Sequence, residues 1–315
     1  MTGLRRVFLH SGWFACLLAG CSSEPESELP IAGTNRGSER DAQNLYARAQ
    51  STDQSGKSKK AINLYADTAD KHPNSPVAPL ARFRQAQLLE QRGDLDKAFE
   101  TYQLVITRHQ ASSLYSKARD NQAKVAHAAA DGQISSNFLW FKPDLDIKKI
   151  VSMLETVRDN APRSPSAAKA QHAIGRAYES KKWKADDAIA AYQKVVDNYP
   201  RSPYAPEAQY KIGHILMMGA SKGNRDNSNL DRALHTFEDL RQSYPGSKRA
   251  DEATARISDI RSRDIQRNFD IGEFYFRKGE TDSASVYYRE VIRETKGGAL
   301  HEQAKKRLQS IKPSD

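Results

Sequence analysis

Residues that favour a core recur at i, i+4 and i+7 in six related segments of this chain. Aligned on Ala61, Ala98, Ile150, Ala188, Ala233 and Ala284, the position four later holds Tyr65, Tyr102, Leu154, Tyr192, Phe237 and Tyr288. Seven later stand Thr68, Val105, Val157, Val195, Leu240 and Val291. Residues three and four apart share a helix face, so each segment predicts an α-helix with one buried stripe. Twelve later, four copies carry Pro73, Pro162, Pro200 and Pro245, while Gln110 and Lys296 stand at that place in the other two. Proline lacks an N–H and pushes its predecessor out of the α region, so the helices are predicted to stop at a common point. The Ser-Pro steps that follow, such as Ser75-Pro76 and Ser202-Pro203, predict an N-cap and first turn for the next helix.

Partner helices are predicted between the copies, over 39–51, 77–92, 113–130, 166–181, 203–219 and a long stretch, 248–278. The unit is a helical hairpin repeated at irregular intervals, with extra length in 131–146 and 220–229. One hairpin cannot bury its own stripe, and stacked copies make a continuous core. In the fourth copy Ile174-Gly175, Tyr178, Ala188, Tyr192, Val195 and Pro200 fall where the tetratricopeptide repeat places Leu-Gly, Tyr, Ala, Phe, Ala and Pro. The fifth matches through Ile212-Gly213, Leu216, Ala233, Phe237, Leu240 and Pro245. The expected fold is therefore all-α, a tetratricopeptide-like helical-hairpin solenoid of five to six irregular repeats over 39–312.

Composition agrees with a thin, elongated body: 38% of residues are hydrophobic and the mean hydropathy is −0.76. Arg5 and Arg6 precede the mostly apolar run 7–18, which is too short to span a bilayer, and then comes Leu18-Ala19-Gly20-Cys21. This arrangement resembles the bacterial lipobox, which implies a signal peptide over 1–20 and lipidation of Cys21. Each buried acyl CH₂ contributes about 0.8 kcal/mol, so a multiply acylated terminus is a durable anchor. Ser22, where an Asp would retain the protein at the inner membrane, implies the outer membrane. Residues 21–38 carry little that could form a core and read as a tether, with a reach on the order of 25 Å. Both cysteines, Cys16 and Cys21, lie in or beside the export segment, which leaves no thiolate for a disulfide, a zinc site or a nucleophile in the repeats. The formal charge of +10 is spread as mixed-sign pairs, and export argues against nucleic acid as its partner.

The lipobox, the short acidic tether and the irregular repeats ending in Tyr-Pro-x-Ser together resemble the BamD (ComL) family of outer-membrane lipoproteins. Asp270-Ile271-Gly272-Glu273-Phe274-Tyr275-Phe276-Arg277-Lys278-Gly279 adds to it, since it is similar to that family's long late helix. The resemblance implies a lipid-anchored scaffold facing the periplasm that works in β-barrel protein assembly with a barrel insertase partner and other assembly lipoproteins. Nascent outer-membrane protein peptides are further candidate ligands. The repeat Tyr199–Tyr210 is also similar to CpoB, a tetratricopeptide adaptor of the Tol-Pal and cell-division machinery, which is the alternative reading. Carried over from groove positions of the repeats, His172, Arg176, Tyr210 and His214 are candidate peptide-binding residues. Tyr287, Arg289 and Arg293 are candidates for the barrel partner, which the family docks through its last repeats. Phe138-Leu139-Trp140-Phe141 is an apolar cluster in a polar insertion, expected to pack on the solenoid, with a partner or membrane contact as the alternative.

Signals of catalysis are lacking. The histidines show no metal-ligand spacing, no phosphate-binding Gly-x-x-x-x-Gly-Lys run occurs, and 224–229 lacks the Gly and Glu of a calcium loop. No catalytic residue, metal or cofactor is expected.

Overall fold

The computed structural model describes residues 36–132, 146–181, 184–220 and 228–311. Among them are thirteen helices: α1 (Arg36–Gln54), α2 (Ser58–Lys71), α3 (Ala78–Gln91), α4 (Leu95–Arg108), α5 (Tyr115–Ala130), α6 (Ile147–Asn160), α7 (Pro165–Glu179), α8 (Ala185–Asn198), α9 (Ala205–Ala220), α10 (Ser228–Ser243), α11 (Lys248–Arg277), α12 (Thr281–Glu294) and α13 (Ala299–Ser310). No strand occurs among the described residues. Each helix packs on its chain neighbours, and α5 with α7, α9 with α11 and α11 with α13 also touch. Odd-numbered helices thus line one side and even-numbered helices the other, as an all-α helical-repeat solenoid requires.

The repeating stripe is the core. Tyr102, Leu154, Tyr192, Phe237 and Tyr288 are wholly buried, Tyr65 nearly so, and the positions three later are buried in every copy. Small residues on the odd helices let these rings approach: a Cβ at Gly175 would lie 2.5 Å from the Tyr192 ring, and one at Gly213 would lie 2.7 Å from Phe237. Two core clusters, one from α1 to α8 and one from α8 to α11, meet where Tyr178 packs against both. A third, smaller cluster joins the C-terminal half of α11 to α12 and α13.

The even helices stop where the proline pattern predicts, but proline is not the whole cause. His109, in the copy with Gln110, closes α4 at φ −130°, ψ 48°, nearly the same as His72 (−131°, 59°) and Tyr199 (−133°, 47°). Packing of the turn therefore enforces the stop without the ring. The last copy does differ: α12 closes at Thr295 with φ −108°, ψ 138°, and Gly298 at φ 100° leads into α13. Four odd helices end instead near glycines with positive φ, Gly56, Gly93, Gly132 and Gly279, and after the first, second and fourth of these Lys57, Asp94 and Glu280 donate to carbonyls five residues back. This is the Schellman arrangement, in which only glycine enters the left-handed region without strain.

The Ser-Pro expectation holds at one place and shifts elsewhere. Ser164 precedes α7 with Pro165 as its first residue. At Ser75 and Ser112 the hydroxyl instead accepts from the N–H two residues on, and the helix begins three residues later. An extra turn is inserted there, and Pro79 occupies the first turn in place of Pro76. Helix α11 is a single helix across the predicted long stretch, capped by the Ser247 hydroxyl, which accepts from the Ala250 N–H. Helix α13 was not resolved as a separate element in the sequence pattern, because its buried positions are only His301 and Ala304.

Candidate functional site

The face formed by α7, α9 and α11 brings the four groove candidates together. His172 on α7 is buried, its ring 5.4 Å from Tyr192 and 5.3 Å from Tyr204, with Nε2 buried and unpaired among the described residues. Burial drives its pKa down to about 4; Arg176 and Lys211 act in the same sense, and Glu207 and Glu179 oppose them. Arg176, one turn further, is exposed and donates to Asp131 at 2.5 Å. Tyr210 on α9 is 7% exposed: it packs on Phe237, stacks on His214 at 6.2 Å, lies under the Arg249 guanidinium at 4.6 Å, and accepts from Arg256 Nε at 3.3 Å. His214 is half-buried with an unpaired Nδ1, and burial lowers its pKa. Arg249 also clasps Glu207 at 2.9 Å and pairs with Glu252. Of the four, Arg176 is the one that presents its side chain to solvent.

Along the solenoid, from α1 to α13, runs a device that the periodicity did not reveal. Tyr65, Tyr102, Tyr192 and Tyr288 donate their hydroxyls to Asp53, Glu90, Glu179 and Glu273 at the ends of the paired odd helices, at distances of 2.7 to 3.3 Å. A group from the next odd helix then reaches the pair: Arg84 to Asp53 at 2.7 Å, Lys211 to Glu179 at 2.9 Å and Arg307 to Glu273 at 2.6 Å, with Asn121 donating to the Tyr102 hydroxyl at 3.2 Å. Burial and then the carboxylate push the Tyr65 pKa up to about 12. At Glu273 burial works to raise the pKa, but Arg307 and the Tyr288 hydroxyl outweigh it and hold the carboxyl below its usual range. The third repeat, with Leu154, has no hydroxyl to donate, and the fifth repeat breaks the rule consistently. Its stripe residue is Phe237, and Met217 stands four residues after Gly213, where Glu179 stands after Gly175. One signal was available in the sequence, an acid that accompanies Tyr and is missing with Phe, but it is visible only once hairpin partners are known.

The C-terminal candidates lie on a different surface. Tyr287 is half-buried and stacks on Tyr275 at 5.7 Å, and Phe274 meets Tyr275 edge-on at 5.5 Å. Phe274 and Val286 are 47% and 62% exposed, and Lys278 sits 4.7 Å from the Phe274 ring centre. Arg289 and Arg293 are exposed, Arg293 paired with Glu290. The last hairpin thus exposes an aromatic strip bordered by cations.

Cys21, most of the tether, the Phe138–Phe141 cluster and the stretch 224–227 lie outside the described residues. Among the described residues no group of His, Cys, Asp and Glu could hold a metal, and no helix is long and apolar enough to cross a membrane.

A family model described as YfiO, outer membrane lipoprotein, matches residues 144–311, and a tetratricopeptide-repeat model matches residues 46–129. No curated protein matches the chain. Similar solved structures include a tetratricopeptide repeat protein from Parabacteroides merdae, at 14% identity over 86% of this chain and 98% of that one, with a TM-score of 0.33. Another is the tetratricopeptide domain of P58(IPK), at 16% identity over 85% of this chain and 77% of that one, with a TM-score of 0.35. Pseudomonas aeruginosa pilF is 11% identical over 86% of this chain and 99% of that one, with a TM-score of 0.31.

Proposed function

We infer that this chain, which belongs to the YfiO outer membrane lipoprotein family, is a scaffold of β-barrel protein assembly, held at the periplasmic face of the outer membrane by lipid on Cys21. The anchor would follow a signal peptide over 1–20, and 21–38 would tether the repeat body of 39–312. The observation that carries the reading is the apolar strip of Phe274, Tyr275, Val286 and Tyr287 on the last hairpin, of which Phe274 and Val286 are exposed and the two tyrosines half-buried. Exposed apolar side chains bordered by cations are the composition expected of a protein-binding surface, and the resemblance to that family supports a barrel partner at the C-terminal repeats. Tyr287, Arg289 and Arg293 are its proposed contacts. Work is done by positioning: the solenoid holds the partner at one end, and the α7–α9 face receives substrate peptides through Arg176, with His172, Tyr210 and His214 packed behind it.

Affinity purification from membranes tests this. Co-isolation of a large barrel protein with periplasmic repeats, lost in Phe274→Ala/Tyr287→Ala, is expected; co-isolation of Tol-Pal components instead would overturn the reading in favour of a CpoB-like adaptor. Cys21→Ser should leave the circular dichroism unchanged and move the protein out of the membrane fraction. For the peptide face, Arg176→Ala should weaken capture of outer-membrane protein C-terminal peptides in a titration, and unchanged affinity would remove that part of the proposal.

A further inference from the structure

The tetrapeptide Pro-Arg-Ser-Pro occurs twice, as Pro162-Arg163-Ser164-Pro165 between α6 and α7 and as Pro200-Arg201-Ser202-Pro203 between α8 and α9. Stacking of consecutive hairpins sets the two turns side by side, and together they wall a cleft of about 630 Å³. Prolines and the rings of Tyr199 and Tyr204 supply its apolar lining, Arg163, Lys169 and Arg201 its charge, and no acidic residue lines it. All three cations are exposed, and none makes an ion pair or a side-chain hydrogen bond among the described residues. Their neighbours behave otherwise: Arg158 pairs with Asp159 and Arg176 with Asp131. The two serines also differ. Ser164 donates to the Ala161 carbonyl and lies 2.7 Å from the Ser166 hydroxyl, whereas the Ser202 hydroxyl is buried with no hydrogen-bond partner. A buried hydroxyl left unpaired is a standing cost that an incoming acceptor would relieve.

We propose that this cleft docks an extended, acidic segment of a partner protein that alternates carboxylates with aromatic or aliphatic side chains. Carboxylates meet Arg163, Lys169 and Arg201, the Ser202 hydroxyl donates to one of them after rotating, and the apolar side chains lie on Tyr199, Tyr204 and the prolines. Charge complementarity selects an anion, and the apolar lining selects one that carries hydrophobic groups. A bilayer headgroup plane satisfies the charge but cannot enter a cleft walled by two turns, so the shape favours a peptide. The site is separate from the aromatic strip on the last hairpin, and the inference stands whether or not that strip binds a barrel protein.

The test is fluorescence anisotropy on the full chain with a labelled peptide of alternating Glu and Tyr, against the same peptide with Gln or Lys in place of Glu. Saturable binding of the Glu peptide alone is expected, weakening as salt rises. Arg163→Ala/Arg201→Ala should weaken it about tenfold, the sum of two exposed charge contacts. Lys169→Glu, a single change at an exposed site, carries the same test should the double variant fail to fold by circular dichroism. Equal affinity for the Gln peptide, or no loss in either variant, would overturn the proposal. So would flotation of the chain with phosphatidylglycerol vesicles, but not phosphatidylcholine ones, when the Glu peptide does not bind.

Discussion

Four core tyrosines end on a carboxylate, and each pair is met by a group from the next repeat. A hydrogen bond to a charged acceptor is worth about 1.5–3 kcal/mol when shielded, and less where the acid is partly exposed, as Glu179 is. Tyr192→Phe should therefore lower the denaturation midpoint by the equivalent of about 1 kcal/mol. The converse change is more telling: Phe237→Tyr buries a hydroxyl opposite Met217 and should cost about 1–3 kcal/mol, part of which Met217→Glu restores, a coupling that a double-mutant cycle in urea would measure. Histidine titration adds a pH dependence. Burial lowers His127 and His172 to about 4; Lys169 and Arg176 face the first along with Asp131, and Arg176 and Lys211 face the second along with Glu207 and Glu179. The unfolded chain, with histidines near 6.5, takes up these protons first, so the stability contribution is complete above pH 6.5 and is lost as pH falls toward 4. Urea unfolding at pH 7 and pH 5 should differ by about 1 kcal/mol or more per histidine, and His127→Gln/His172→Gln should flatten that slope. None of these partners was legible in the sequence, because acid and tyrosine meet across a hairpin and the cation arrives from a further helix.

At the scale of the helix, the aromatic stripe depends on a missing side chain opposite it. Alanine is a better helix former than glycine by about 1 kcal/mol, which would favour Gly175→Ala on propensity alone. A Cβ there would stand 2.5 Å from the wholly buried Tyr192 ring, so overpacking of about 1–3 kcal/mol should prevail, and Gly175→Ala should unfold at lower temperature. Gly246, with open space around its Cβ position, lies under no such constraint. Helix existence, period and buried face were all legible, since the i, i+4, i+7 stripe leaves little freedom about which side turns inward. The starts of α3, α5 and α9 were not, because Ser75, Ser112 and Ser202, the second of them with no proline after it, each close a separate turn before the helix.

Across the whole molecule, the cores are not evenly joined. No residue of α11 between Ile260 and Gly272 is buried, and Arg261, Ser262 and Arg263 are exposed, so this one helix bridges the second core cluster to the small third one. Repeat arrays are stabilised by nearest-neighbour interfaces, and the end with the smallest core opens first. Hydrogen exchange should show α12 and α13 less protected than α8 to α10. Ser262→Pro, a break of about 3 kcal/mol or more in an exposed stretch, should release the last hairpin while leaving the first two clusters protected. Fold class and repeat number follow from the sequence alone, because a periodic stripe can be buried only by stacking like on like. The lipobox reading of Cys21 belongs to the sequence as well. Tertiary structure decided the rest: it engaged Tyr210 and His172 in packing, left Arg176 at the surface, paired tyrosines with acids and set two Pro-Arg-Ser-Pro turns around one cleft. Those outcomes depend on which residues meet across helices distant in the chain, and periodicity within a single helix carries no record of that.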